Sequence, residues 1–490
     1  MSGGNAPFRM DYGEFRISRP SNPVNVRKEA GMRACRTAVG VVASFVALAF
    51  LLAAAAGAAA PPPPACAASQ SWVTSPNPPQ EIPGGGTDFC QFYQFAWQWF
   101  LYLVSPSGDA AGDRNFEVQK SFPLLQASGT DSCTATSNTP VFFVRTLKSD
   151  DPNQPFIVPE NIGQAGTSGE VIYDKSGNIV FYEVRFSRNL CPPPTSGNLP
   201  AGTTEIKTAW RQITQAEAPA YFTNQAVIQG VSTQPILLGL IGFHLFRTTA
   251  QHPEGVWMTW EHESNDPDCL QPQPTSAAGW SFTSAQCAQC LATSTTGPLG
   301  CASCNFNTAM VSTKISGGTP TQICRVYRDG SGPLDNKVAE NLADVDALNA
   351  QLVGPTGFVT QLPASNPVQV FANYYHIGGL WVSDPTQPAD SSNQRGSLQL
   401  ANTVMETTFQ GNFTATGSGV MRSGAVNCFG CHSYTPNSTA TSGLSHIVDD
   451  LDGTPGPAKP SGGGSAATGA SPSAGVEPVA SHKPYGDGKN

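Results

Sequence analysis

Charge is scarce in this chain. Asp, Glu, Lys and Arg make up 12% of its 490 residues, with 35 acidic side chains against 26 basic ones. Positions 1–67 hold seven of the basic groups and three of the acidic ones, so the remainder carries 19 against 32. Such a surface repels phosphate backbones and anionic headgroups, which excludes nucleic acid as a partner and suits a basic protein instead. Metal-ligating side chains are sparse too, with seven histidines and seven methionines. No internal repeat is present. Residues 452–490 are Gly, Ser, Pro and Ala with almost nothing to bury, which excludes them from any core and predicts disorder.

Charge is missing altogether from the run Ala38–Ala60. Arg33 and Arg36 precede this run, and four prolines followed by Ala65-Cys66-Ala67 come after it. A basic flank, an apolar core and a small-x-small site compose a bacterial export signal, with cleavage expected before Ala68. Met32 onward has ordinary signal length, so Met32 is the better start and residues 1–31 read as an extension. An uncleaved run of this length could instead span a bilayer, the one circumstance in which the chain would be membrane-bound. Pro63 stands where a lipoprotein signal wants leucine, which argues against lipid on Cys66. On either reading the bulk of the chain lies outside the cytoplasm, in the periplasm.

The rest divides coarsely. Residues 68–88 are a Pro/Gly/Ser lead-in, 89–394 a strand-rich domain, and 395–451 a helix with a cysteine motif packed on that domain. Thr87 or Asp88 is placed to cap a helix from Phe89 to Val104, stopped by Pro106. Val171-Ile172-Tyr173 and Ile179 to Val184, around the loop 174–178, predict a hairpin. Glu205–Ile213, Pro235–Arg247 and Gly255–His262 read as strands. In the last of these Met258, Trp260 and His262 share one face, with Trp257, Thr259 and Glu261 on the other. Asp335 precedes a helix with Val338, Leu342, Val345, Leu348 and Leu352 on one side, ended by Gly354-Pro355. A second helix is expected from Ser397 to Phe409, presenting Leu398, Ala401, Met405 and Phe409. The fold class is α+β: strand-rich with a few helices, one large domain and much irregular loop.

Against this background stands Cys428-Phe429-Gly430-Cys431-His432. Two cysteines separated by two residues and followed at once by histidine form the c-type haem attachment signature. Each thiol closes a thioether on a porphyrin vinyl group, and the adjacent imidazole is thereby held beneath the iron. Cys428 and Cys431 are thus the covalent anchors of one haem c, and His432 its proximal ligand. The competing reading is a disulfide followed by an incidental histidine.

A second cluster pairs Cys287 and Cys290 with Cys301 and Cys304, ten residues intervening. That spacing fits a small zinc knuckle, yet an oxidising compartment favours disulfides, which is the preferred expectation. Leu291 and Asn305 stand where a haem motif needs histidine. If Cys66 is removed with the signal, nine cysteines remain beyond the haem pair, leaving one thiol over; a cut upstream of Cys66 evens the count. Cys90, Cys133, Cys191, Cys269 and Cys324 are the other partners, in undefined order. His244, His252, Glu254, Glu261, His262 and Glu263 form a dense polar stretch, read either as a metal or proton-transfer site or as hydrogen-bonded residues of a β core. Arg211 is placed either to neutralise a haem propionate or to form an ordinary ion pair.

Several phrases together resemble exported bacterial proteins of the cytochrome c family. They are Phe95-Ala96-Trp97, Glu205 through Arg211, His252-Pro253-Glu254 leading to Trp257 and Glu261-His262, Asn402 with Met405-Glu406, the haem motif, and Leu444-Ser445-His446-Ile447. The resemblance spans most of 89–450 and implies a monohaem periplasmic redox protein of undefined substrate. It departs from the small cytochrome domain, where the motif lies near the N-terminus and a later methionine is the sixth ligand. Here the chain after His432 is short, and it holds no methionine. The haem must therefore pack against the preceding domain, with the 397–409 helix expected as one wall. His446, far enough past His432 for the chain to loop over the haem edge, is the first candidate for the sixth position; Met405, Met421 and His376 follow. A histidine pair lowers the potential and a methionine raises it.

Two classes of function remain. One is an electron carrier with six-coordinate iron and a protein partner at the haem edge. The other is a haem-dependent oxidoreductase, peroxidase-like, with an open sixth site and acid–base groups such as His262 or His376. A haem used as sensor or structural staple is a third, weaker alternative. Carbon monoxide binding separates the first two.

Overall fold

The chain divides into two compact units, Met1–Pro63 and Pro64–Asn490. A computed structural model describes residues within the second unit, from 66 to 451. Left out between them are 87, 110–111, 127–129, 137–141, 143–169, 195–197, 228–231, 270–278, 309, 312–315, 331–337, 390–391, 411–427, 433–446 and 449–450. Its strands, in chain order, are β1 (Glu170–Val171), β2 (Phe181–Phe186), β3 (Thr204–Gln212), β4 (Thr223–Ala226), β5 (Ile236–Arg247), β6 (Val256–His262), β7 (Met310–Val311), β8 (Tyr374–Val382) and β9 (Gln394–Gly396). The helices are α1 (Ser71–Thr74), α2 (Phe89–Val104), α3 (Ala285–Thr293), α4 (Val338–Leu352) and α5 (Cys428–Cys431).

Seven strands form one antiparallel sheet in the order β2-β3-β5-β6-β8-β9, while β1 and β7 make a separate pair. β4 joins β5 along residues 236–239, beyond the stretch 242–247 that β6 occupies. The expected strands in β3, β5 and β6 are all present. The anticipated hairpin keeps its turn, where Asp174 N–H donates to the Asn178 carbonyl at 2.9 Å and Tyr173 bridges Ile179. Its arms then diverge, β1 to β7 and β2 to β3. β2 is buried at all six positions, so it is stabilised better by the large sheet than by an isolated ribbon. β8 has no counterpart among the expected strands. Gly378-Gly379 interrupts its apolar pattern, and Gly378 adopts φ +148° where an added Cβ would meet Ser397 Oγ at 2.0 Å.

The sheet has two covered faces. α2 begins where Asp88 Oδ1 accepts from Gln91 N–H at 2.9 Å, and it gives way to extended backbone at Ser105, next to Pro106. Trp97 and Phe100 from α2, with Val345, Leu348 and Leu352 from α4, share a core with Phe243, Leu245, Met258 and Trp260. These three α4 residues are among the five expected to face inward; Leu342 is half-buried, while Asp335 and the side chain of Val338 lie outside the description. The opposite face, holding Phe246, Trp257, Ile377 and Leu380, is covered by Leu400, Val404, Met405, Phe429, Ile447 and Val448.

The segment 397–409 is not the expected helix. It is a series of turns ending in a 3-10 turn, Thr407–Gln410. Side chains take the amides an α-helix would use: Asn402 N–H donates to Glu406 Oε2 at 2.7 Å, Thr403 N–H to Glu261 Oε1 at 2.7 Å, and Val404 N–H to Asn402 Oδ1 at 3.1 Å.

Five disulfides cross-link the domain: Cys66–Cys90, Cys133–Cys191, Cys269–Cys324, Cys287–Cys304 and Cys290–Cys301. The suspected zinc cluster is therefore spent in two nested bonds, Cys290–Cys301 inside Cys287–Cys304, and zinc would need those sulfurs as thiolates. Disulfides in this number form and persist in an oxidising environment. Cys66 belongs to the folded domain: its carbonyl accepts from Gln351 Nε2 at 2.7 Å, and the Ala67 carbonyl accepts from Gln94 Nε2 at 2.8 Å. A cut before Ala68, as the sequence suggested, would discard one sulfur of this disulfide. Among the described residues no helix is long and apolar enough to cross a membrane.

Candidate functional site

Residues Cys428–Cys431 form a single helical turn, α5, and His432 N–H donates to the Cys428 carbonyl at 2.8 Å. Backbone positions three apart in such a turn come to the same side, and the next residue follows round. The turn sits against Trp257 of β6. The His432 ring lies 4.5 Å from the indole and the Phe429 ring 6.1 Å. Trp257 in turn touches Phe246 of β5 at 4.5 Å. Ile447 is buried in the same cluster together with Val448 and Leu451.

The strands beneath lay out a ladder. Phe246 pairs with Trp257, His244 with Thr259, and Gly242 with Glu261. The 402–406 turn is bolted onto the last two rungs. Asn402 Nδ2 donates to Thr259 Oγ1 at 2.8 Å and to the Trp260 carbonyl at 3.1 Å, and Tyr182 Oη donates to the Val404 carbonyl at 2.9 Å. A Cβ at Gly242 would lie 2.9 Å from Val404 Cγ2, so glycine permits this close approach. The turn delivers Glu406 to His244, Oε1 to Nε2, at 2.8 Å. Both side chains stay partly open, at 19% and 18% exposure.

Below the same turn lies a buried carboxylate pair. Thr403 Oγ1 is 2.7 Å from Glu261 Oε2 and 2.6 Å from Asp266 Oδ2. A hydroxyl carries one proton, so one of these contacts needs a protonated carboxyl. Burial pushes Asp266 up to about 7, against the pull of Arg325, and makes it the proton holder. Arg325 Nη2 donates to Glu261 Oε2 at 2.5 Å and lies 3.5 Å from Asp266 Oδ1. Asp266 and Arg325 line a cleft of about 320 Å³ with Glu263, Asp268, Trp280 and Tyr375.

The other anticipated residues separate. Met405 is fully buried on the same sheet face as Trp257 and Phe429. His376 is on the opposite sheet face, ringed by Trp260 at 4.6 Å, Tyr93 at 5.6 Å and Trp97 at 6.0 Å. His446 and Met421 lie outside the described residues. The dense polar stretch does not converge. His252 Nδ1 pairs with Glu254 at 2.8 Å, whereas His262 stacks on Tyr221 at 4.0 Å and its Nε2 donates to the Ala220 carbonyl at 2.9 Å. Burial holds His262 down at about 4, so it is neutral and built into the sheet. Arg211 is an internal ion pair with Asp174 at 3.4 Å and Glu217 at 2.5 Å, not a propionate partner. The reading from sequence passed over the His244–Glu406 pair, whose partners stand 162 residues apart.

Among the described residues no group of three or more His, Cys, Asp and Glu could hold a free metal ion. The turn sets two cysteine positions on one side with an imidazole directly after them, beside an apolar wall of Trp257, Phe429 and Ile447. The ten cysteines of the five disulfides are matched among themselves and do not involve this turn. No protein-family model, curated protein or solved structure matches this chain.

Proposed function

We propose that this chain is an exported c-type cytochrome that passes electrons through one covalently attached haem to a basic partner protein. The observation that carries the reading is the Cys428–Cys431 turn with His432 seated on Trp257, beside the apolar residues Phe429, Ile447 and Val448. A bound haem supplies the reversible one-electron couple of its iron. The chain's own residues do the rest. Cys428 and Cys431 anchor, His432 ligates, and Trp257 and Phe429 limit the movement of that imidazole and keep water from its face. The acidic excess steers a basic partner, an effect that weakens as salt is raised.

The test is to produce the full chain in a host with haem-attachment machinery and measure its intact mass and its oxidised and reduced spectra. The expected result is the mass of one haem, low-spin iron, and loss of covalent haem retention in Cys431→Ala. A mature protein of unmodified mass refutes the proposal. A ferrous form that takes up carbon monoxide fully replaces electron carriage with oxidoreductase chemistry at an open iron site.

A further inference from the structure

We infer that Thr403, Glu261 and Asp266 form a proton-operated latch, which closes the 402–407 turn onto the sheet while a carboxyl proton is held among them and loosens it when that proton leaves. The inference does not depend on the haem reading. Its basis is a mismatch between acceptors and protons. Thr403 N–H donates to Glu261 Oε1 at 2.7 Å, and its Oγ1 lies 2.7 Å from Glu261 Oε2 and 2.6 Å from Asp266 Oδ2. One hydroxyl proton cannot serve two carboxylates, so the closed contact needs a second proton on an acid. All three residues are buried, where two carboxylates facing one hydroxyl repel with little screening.

The frame around the pair is tied together more firmly than the turn. Asp266 and Arg325 sit on segments joined by the Cys269–Cys324 disulfide. Across the same junction Arg325 N–H donates to the Pro267 carbonyl at 2.8 Å, and Cys269 N–H to the Arg325 carbonyl at 2.7 Å. The turn is therefore the part that gives. Facing Asp266 are Glu261 from β6, Asp268 from its own loop and Arg325 from the disulfide-linked segment. Arg325 is one cation for all three acids: Nη2 donates to Glu261 at 2.5 Å and lies 3.5 Å from Asp266 Oδ1, and Nη1 lies 3.6 Å from Asp268. Glu263, Asp329, Asp346 and Tyr375 line the adjoining cleft, so the surroundings add negative charge and no second cation. Asp266 also lines that cleft, which gives its proton a way to solvent. Burial pushes Asp266 up to about 7, so release falls near neutrality.

Two contacts carry the latch onward. Thr407 Oγ1 donates to the Thr403 carbonyl at 2.5 Å, extending it to the 3-10 turn. Val404 and Met405 are buried in one cluster with Trp257, Phe429 and Ile447, so loosening the turn loosens the cover beside Cys428–Cys431.

Hydrogen exchange of the full chain tests this, with amides of 403–407 compared with those of α2 and corrected for the intrinsic pH dependence of exchange. Protection of the turn should fall at least about tenfold between about pH 5 and about pH 7 and then level off, because the proton is lost across that interval. Asp266→Asn, whose amide donates to Thr403 without titrating, should abolish the fall and keep the turn protected. Thr403→Val should leave the turn weakly protected at every pH, and Thr403→Ser should restore the wild-type profile. A turn whose protection follows that of α2 across the range overturns the latch. So does a fall that persists in Asp266→Asn. If neither Asp266→Asn nor Thr403→Val folds, the wild-type profile alone decides: a fall confined to the turn supports the latch, and a flat profile overturns it.

Discussion

His376 shows how much one residue's role depends on which face it occupies. It is fully buried among Trp97, Trp260 and Tyr93, neither ring nitrogen has a well-aligned hydrogen-bond partner, and burial holds it down at about 3. A histidine with a depressed folded pKa favours the folded state while neutral, and the unfolded chain binds more protons between about 3 and 6.5. Its contribution is therefore whole above 6.5 and lost as pH falls toward 3. Across pH 6.5 to 4 this amounts to on the order of 3 kcal/mol. His376→Phe should flatten the acid limb of stability by about that amount, read from urea midpoints across the pH range; an unchanged limb would refute it. Asp266 behaves oppositely. Its raised pKa favours the folded state when protonated, so that contribution fades as pH climbs from the ordinary carboxyl range through about 7. Asp266→Asn should accordingly gain on wild type as pH rises, measured the same way.

At the scale of elements, the 402–406 turn carries more than any helix near the motif. Asn402 is fully buried and makes contacts with Thr259, Trp260 and Val404. Asn402→Ala strands those partners in a dry interior and should cost about 3 kcal/mol in urea unfolding. The apolar spacing here suggested a helix because Leu398, Ala401, Met405 and Phe409 do recur at helical intervals. Periodicity weighs apolar residues and is silent about Asn, Thr and Glu that bond to backbone at long range. Where polar side chains do not compete, as in α2 and α4, caps and spacing located the helices well.

For the whole molecule the decisive bonds are the disulfides. Cys66–Cys90 closes the N-terminal lead-in onto α2, with a separation of 24 residues. Removing it through Cys90→Ser should cost roughly 3 kcal/mol, seen as a lowered denaturant midpoint. N-terminal sequencing of the exported protein should find Cys66 retained; a first residue at Ala68 would contradict the pairing. Peptide mapping without reductant should recover the five bonds, with α3 joined to residues 301 and 304.

By itself the sequence determined what short-range chemistry can determine. It located the capped start of α2, most of the inward side of α4 and the alternating faces of β6, because each depends on neighbours within a turn or a strand. It also implied disulfides, since an export signal was expected to carry the cysteines to where thiols oxidise. Only the tertiary structure decided which cysteine meets which, that His376 points away from the motif, and that Glu406 reaches His244. Those outcomes rest on strand order and on bulges near Gly242 and Gly378, which decide the side of the sheet a residue serves. Contacts across 162 residues leave no periodic trace in the chain, because closing a loop of that length depends on the whole packed sheet rather than on any local preference.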